Sequence, residues 1–237
     1  MSQSDRLTHQ QRLERIKRPA DYPLTIALIN PINRVLVGPL AKTGVPPTAV
    51  TLASFVVGIA AAVALYMAAQ GFVRWLYVAP LLVFVAHLFD ALDGDLARYT
   101  GKTSEFGAAL DPVLDRAREF LYALAVGAGL SFGDGPALAW LAAIVCIGGV
   151  QVYYYTTDAQ VSRLKKTGAH DVERFSVTKK TGTETALKFG LYEPYQYGLA
   201  VAVAAGFGYE ALWVLAVAFW LAWIGQIVKM WRIAAGS

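Results

Sequence analysis

The chain has 237 residues, 56% of them hydrophobic and 16% charged, with a formal net charge of +4. That composition and a mean hydropathy of +0.44 exclude an ordinary soluble domain and predict a polytopic integral membrane protein of all-α class. The single cysteine, Cys146, excludes an internal disulfide and reads as a small core residue.

In chain order, residues 1–18 are polar, rich in Arg, Gln and Glu, and do not read as a secretory signal. Leu24–Leu40 is amphipathic and interrupted by Pro31 and Pro39. It predicts a juxtamembrane helix lying in the interface, with Arg34 and Lys42 toward the headgroups. Six apolar stretches follow, near 45–69, 73–98, 104–130, 136–157, 187–207 and 209–233. Each approaches the roughly 20 helical residues that cross a bilayer. The expected organisation is a cytoplasmic tail with interfacial helix over 1–42 and a six-helix transmembrane domain over 43–237.

An even number of spans places both termini on one side. That side collects the basic tail, the 99–104 connection, the 158–186 loop, Lys229 and Arg232, whereas the opposite side holds only Arg74. The positive-inside bias therefore predicts cytoplasmic termini and a cell-membrane protein. Tyr153, Tyr154 and Tyr155 read as interface aromatics.

The chemistry lies between the second and third predicted spans. Asp90 and Asp93 share one helix face, as do Asp111 and Asp115 on the next helix. Carboxylates at membrane depth are expensive unless neutralised, and the short connection brings the two pairs to face each other at the cytoplasmic mouth. Gly94 and Gly107 omit side chains where backbones or a ligand come close. Oxygen donors without His or Cys suit Mg²⁺, with Mn²⁺ as the alternative, and such ions recruit phosphate. Arg98 can pair with a diphosphate, and Lys102 and Ser104 can reach the same group. With two ions, phosphoryl-group displacement becomes accessible, and Asp115, one turn deeper than Asp111, is the candidate general base.

The spacing Asp90-x₂-Asp93-Gly94-x₂-Ala97-Arg98-x₈-Gly107-x₃-Asp111-x₃-Asp115 resembles the signature of the CDP-alcohol phosphotransferase family. The resemblance implies displacement on a CDP-linked donor by an acceptor hydroxyl, with release of CMP. It also implies that Asp90, Asp93 and Asp111 bind metal, and that Asp115 is the base and approaches the second ion. Gly94, Ala97, Arg98 and Ser104 would cradle the nucleotide, with Gly107 keeping the helices close. The family's Pro-Asn-x-x-Thr-like stretch reads here Pro47-Thr48-Ala49-Val50-Thr51, so Thr48 replaces the usual Asn or Asp beside Thr51. The wording Asp-Gly-Asp-Leu-Ala-Arg and the run Leu110–Arg116 are most similar to the inositol-phosphate-using branch. A homodimer is a further family implication.

Other readings stay open at this level. Arg118 and Glu119 either contact a polar acceptor or pair with neighbours. His87 reads as a hydrogen-bonded core histidine, and Pro112 as a tolerated kink. The 158–186 loop, with Arg163, Lys165, Lys166 and Arg174, either sets topology and attracts anionic lipid or receives a charged acceptor such as inositol phosphate or glycerol phosphate. The implied donor is CDP-diacylglycerol, and no nucleic-acid partner is expected. Two competing functions are an intramembrane prenyltransferase and a divalent-cation transporter. The first normally carries two separated Asp-rich motifs, and the second predicts acids spread through the bilayer depth.

Overall fold

The computed structural model describes residues 8–17, 20–166, 177–179 and 186–235, with side chains placed over 8–17, 21–157 and 190–231. In chain order the described helices are α1 (His9–Arg15), α2 (Asn30–Lys42), α3 (Pro47–Ala69), α4 (Val73–Thr100), α5 (Glu105–Phe132), α6 (Ala139–Lys166), α7 (Leu199–Ala204) and α8 (Gly208–Ala235). Single π-helical turns lead into α2 and α7, over Thr25–Ile29 and Pro194–Gly198. Short strands β1 (Ala20–Asp21), β2 (Val177–Lys179) and β3 (Ala186–Phe189) form a sheet in the order β1-β3-β2. Ala20 pairs with Ala186, and Asp21 with Leu187, in parallel.

The chain divides into two compact units. One contains Met1–Ala61, Leu81–Arg118 and Thr178–Phe189; the other contains Ala62–Pro80, Glu119–Val177 and Gly190–Ser237. In the first, Pro31 follows directly on the π-helical turn Thr25–Ile29, and Pro39 is carried within α2. The helix therefore runs through both prolines that the sequence suggested as breaks. Arg34 and Lys42 on it are exposed, as expected. A capping box starts α1: the Gln11 N–H donates to Thr8 Oγ1 at 3.3 Å, and the Thr8 N–H to Gln11 Oε1 at 3.0 Å. Just after α1, Ile16 is buried with Val37 of α2, Val50 of α3 and Leu92, Leu96 and Tyr99 of α4. His9 Nδ1 and the Tyr99 hydroxyl share a 2.6 Å hydrogen bond. A cation–π contact sets the Arg12 guanidinium 5.7 Å from the same ring. The juxtamembrane segment is thus packed onto the first two long helices. Between those helices, Ser54 Oγ donates to the Ala86 carbonyl at 2.9 Å.

In the second unit, α6 and α8 pack along a seam of glycine against aromatics. A side chain at Gly149 would meet Trp220 Cδ1 at 3.0 Å and Phe219 Cβ at 3.2 Å, so α8 approaches α6 there because no Cβ intervenes. Polar bonds close the seam: Trp220 Nε1 to the Val145 carbonyl at 3.0 Å, Trp223 Nε1 to Thr156 Oγ1 at 3.0 Å, and Gln226 Nε2 to Thr157 Oγ1 at 2.6 Å. Tyr195 is fully buried, stands edge-on to Phe219, and donates its hydroxyl to the Glu119 carbonyl.

Four of the described helices are long and apolar enough to cross a membrane: Pro47–Ala69, Val73–Thr100, Ala139–Thr157 and Gly208–Trp231. These helices, with their apolar outward faces, make the chain a multi-pass membrane protein. The two other predicted spans differ for identifiable reasons. Helix α5 has ample length, but Glu105, Asp111, Asp115, Arg116, Arg118 and Glu119 crowd its first half. The stretch 187–207 begins as strand β3 and becomes helical only from residue 192. Gly206, at a φ of +84°, then ends that helix.

Candidate active site

Three segments of the first unit build the site: the start of α3, the end of α4 and the start of α5. Helix α4 ends where Gly101 takes a φ of +70°, and the Lys102 N–H reaches back to the Ala97 carbonyl at 3.1 Å. Only glycine adopts that left-handed geometry readily, and the resulting C-cap turns the chain toward α5 within four residues. Ser104 caps α5, accepting the Gly107 N–H at 3.0 Å. A Cβ at Gly107 would lie 2.9 Å from Ser104 Oγ and 3.7 Å from Thr48 Oγ1. Gly107 therefore clears space for the Ser104 cap, while a side chain there would meet α3 only at ordinary van der Waals distance.

Every predicted donor-binding residue lines one cavity of about 220 Å³: Thr48, Thr51, Gly94, Ala97, Arg98, Ser104 and Gly107. Asp93, Lys102 and Asp111 line it too. Thr51 is buried, and its hydroxyl donates to the Pro47 carbonyl at 3.3 Å.

The acids separate into three environments. One carboxylate oxygen from each of Asp90, Asp111 and Asp115 lies within 4.8 Å of the other two, close enough to share an ion. An all-oxygen set of this kind fits a hard divalent cation. Asp93 is buried, lies outside this trio and faces the cavity. Asp95, which the sequence reading passed over, is buried and bonded to Arg98 Nη2 at 2.5 Å and to Asn33 Nδ2 at 3.1 Å. At two residues past Asp93 it points to another side of the helix, so the periodicity that grouped Asp90 with Asp93 left it out.

Arg118 is 2% exposed and pairs with two of the three clustered acids. Its Nη1 and Nη2 each lie 3.2 Å from Asp90 Oδ1, Nη2 lies 2.5 Å from Asp115 Oδ1, and Nη1 donates to Ser54 Oγ at 3.0 Å. Of the two sequence readings for Arg118, the structure displays the pairing one. Ser54 was not anticipated, since a lone serine in an apolar run carries no chemical signal. Glu119 and His87 are buried, and Pro112 is accommodated without ending α5. Arg163, Lys165 and Lys166 lie on the last turns of α6, without described side chains, and Arg174 lies outside the described residues.

Phosphatidylinositol phosphate synthase of Mycobacteroides abscessus is 29% identical over 213 residues, covering 87% of this chain and 86% of the relative. Archaetidylinositol phosphate synthases are similar over shorter stretches. The Pyrococcus horikoshii protein is 36% identical over 37% of this chain, and the Aeropyrum pernix protein 44% identical over 23%. These two matches span 45% and 30% of the relatives' own lengths, less than half of each. Among solved structures, Mycobacterium tuberculosis phosphatidylinositol phosphate synthase with CDP-DAG bound shares the fold. Its TM-score is 0.63 at 21% identity, over 84% of this chain and 94% of that one. The same protein with manganese and citrate gives a TM-score of 0.63 at 20% identity, over 84% and 88% of the two chains. The family described as CDP-alcohol phosphatidyltransferase matches residues 45–234, four-fifths of the sequence and all of the site, and the chain belongs to it.

Proposed function

We propose that this protein transfers a phosphatidyl group from CDP-diacylglycerol to a hydroxyl of inositol phosphate, releasing CMP, with glycerol phosphate as the alternative acceptor. The observation that carries the reading is the convergence of Asp90, Asp111 and Asp115 beside a cavity lined by Arg98 and Lys102, with Asp111 common to both. Anion-binding groups and a cation-binding trio side by side suit a diphosphate. The relatives' names support the acceptor.

In this mechanism Asp90, Asp93, Asp111 and Asp115 hold Mg²⁺, two ions in all, with Mn²⁺ able to substitute. A divalent ion held there would supply positive charge to the diphosphate and to the departing oxygen of CMP. Thr48, Thr51, Gly94, Ala97, Ser104 and Gly107 shape the pocket for the nucleotide, and Arg98 takes a phosphate oxygen. Asp115 accepts the proton of the acceptor hydroxyl as the new P–O bond forms at the β-phosphorus and the bond to CMP breaks. Arg118, buried and engaged by Asp90 and Asp115, orients those carboxylates better than it can receive an acceptor. For the acceptor's phosphate the candidates are Arg163, Lys165, Lys166 or Arg174 of the basic loop region. Residues 43–237 form the catalytic domain, with α5 and the helical stretch from residue 192 completing six spans beside the four long apolar helices, cytoplasmic termini and a cytoplasmic site, and residues 1–42 form a tail and interfacial helix. The enzyme acts as a homodimer.

The purified protein with Mg²⁺, CDP-diacylglycerol and a panel of polar alcohols is expected to release CMP with inositol phosphate, and to stop when the metal is chelated. Consumption of prenyl diphosphate, or metal flux into liposomes without CMP release, would overturn the assignment.

A further inference from the structure

Arg98 is half-exposed and long, so its guanidinium samples many positions unless something holds it. Two features do. The group folds back over Gly94, where a Cβ would stand 3.3 Å from Nη1 and 3.4 Å from Nη2. Even a methyl group at 94 would shift it by a few tenths of an ångström. Asp95 then grips Nη2 at 2.5 Å with a carboxylate whose side chain is only 3% exposed. The other oxygen of Asp95 accepts from Asn33 Nδ2 at 3.1 Å, and Asn33 is fully buried on α2. Among the described residues Asn33 Oδ1 has no hydrogen-bond partner, so the amide's polar reach is directed to Asp95. Asp95 engages one terminal nitrogen, and Arg98 Nε has no partner among the described residues. Arg98 is therefore oriented without its donors being consumed.

We propose that Asp95 and Asn33 are positioning residues, a relay from α2 that sets the Arg98 guanidinium at the cavity where the donor's phosphates bind. The inference rests on the CDP-donor reading above. A buried carboxylate that served packing alone would need only one cation beside it. Here the paired cation lines the cavity, and a second helix fixes the carboxylate's other oxygen. Helix α2 is thereby tied to the donor site without touching it through Arg98 directly.

The test compares Asp95→Asn and Asn33→Ala in wild-type and Arg98→Ala backgrounds, with CDP-diacylglycerol as the varied substrate. Dissociation constants for the same donor and melting temperatures accompany the kinetics. Asp95→Asn keeps the shape and removes the charge. It is expected to raise the KM for the donor about tenfold, the worth of one charge-assisted hydrogen bond, with kcat within about twofold. Asn33→Ala is expected to raise it about threefold, and reads the same relay should Asp95→Asn fail to fold. In the Arg98→Ala background both effects on donor affinity should vanish, because nothing remains to be positioned. An unchanged KM, or equal losses with and without Arg98, would overturn the relay and leave the transferase reading intact. A wild-type protein that releases no CMP from CDP-linked donors would sink both.

Discussion

The acidic site and the α6–α8 seam solve opposite problems with the same membrane-helix material. At the seam, Gly149 admits Trp220 and Phe219, and Trp220 Nε1 finds the Val145 carbonyl. Shape is matched first, and a few polar bonds follow. At the site, charges come first: Arg118 is shared by Asp90 and Asp115, and Arg98 is held by Asp95. Carboxylates are gathered where each would repel the others without a cation among them. Damage at the seam should therefore cost stability with the chemistry spared, and damage at the site the reverse, Arg118 excepted.

The strongest way to sharpen that contrast is Asp115→Asn. Loss of the proposed proton acceptor is expected to slow CMP release by about 10²–10⁴-fold with a nearly unchanged melting temperature. Arg118→Met tests the exception. It removes the counter-ion of two half-buried carboxylates and is expected to destabilise by about 3–5 kcal/mol. Saturating Mg²⁺ should restore much of that loss by supplying positive charge to the trio, so thermal unfolding with and without chelator measures both parts. Equal losses in both conditions would mean that Arg118 holds helices and not the acid cluster. Gly149→Val is expected to overpack the seam by about 1–3 kcal/mol, with kcat per folded molecule unchanged; melting and kinetics in the same detergent check it. The smallest effect is Trp223→Phe, which removes the 3.0 Å bond to Thr156 and should cost about 1 kcal/mol with activity intact. A seam variant that altered the KM for the donor would break the division between the two regions.

Much of the site was legible because helical spacing is rigid. Residues three and four apart must share a face, so the order of Asp90, Asp93, Gly94, Arg98, Gly107, Asp111 and Asp115 already gathered them between two neighbouring helices. Every residue named for the donor lines the cavity. The grouping of the acids was only partly visible. Asp93 and Asp111 face the cavity, whereas the close trio takes Asp90 in place of Asp93. Rotation of one helix about its axis decides which of two neighbouring side chains reaches across, and spacing within a helix carries no information on that rotation.

The membrane character followed from composition, since apolar runs of bilayer length have few other stable homes. The extent of individual elements did not. Residues 187–207 are apolar enough for a span, yet β3 forms there because residues 20–21, far away in sequence, offer a pairing edge. Pro31 and Pro39 looked like breaks, yet α2 runs through them and is held by its buried face against Leu92, Leu96 and Tyr99. Residue types and their periods are local quantities, and they pointed to the family, to which acids share a helix face, and to a short connection between α4 and α5. Partners such as Asn33 for Asp95, Ser54 for Arg118 and Trp220 for Gly149 are set by distances between segments remote in sequence, and those exist only once the chain is packed.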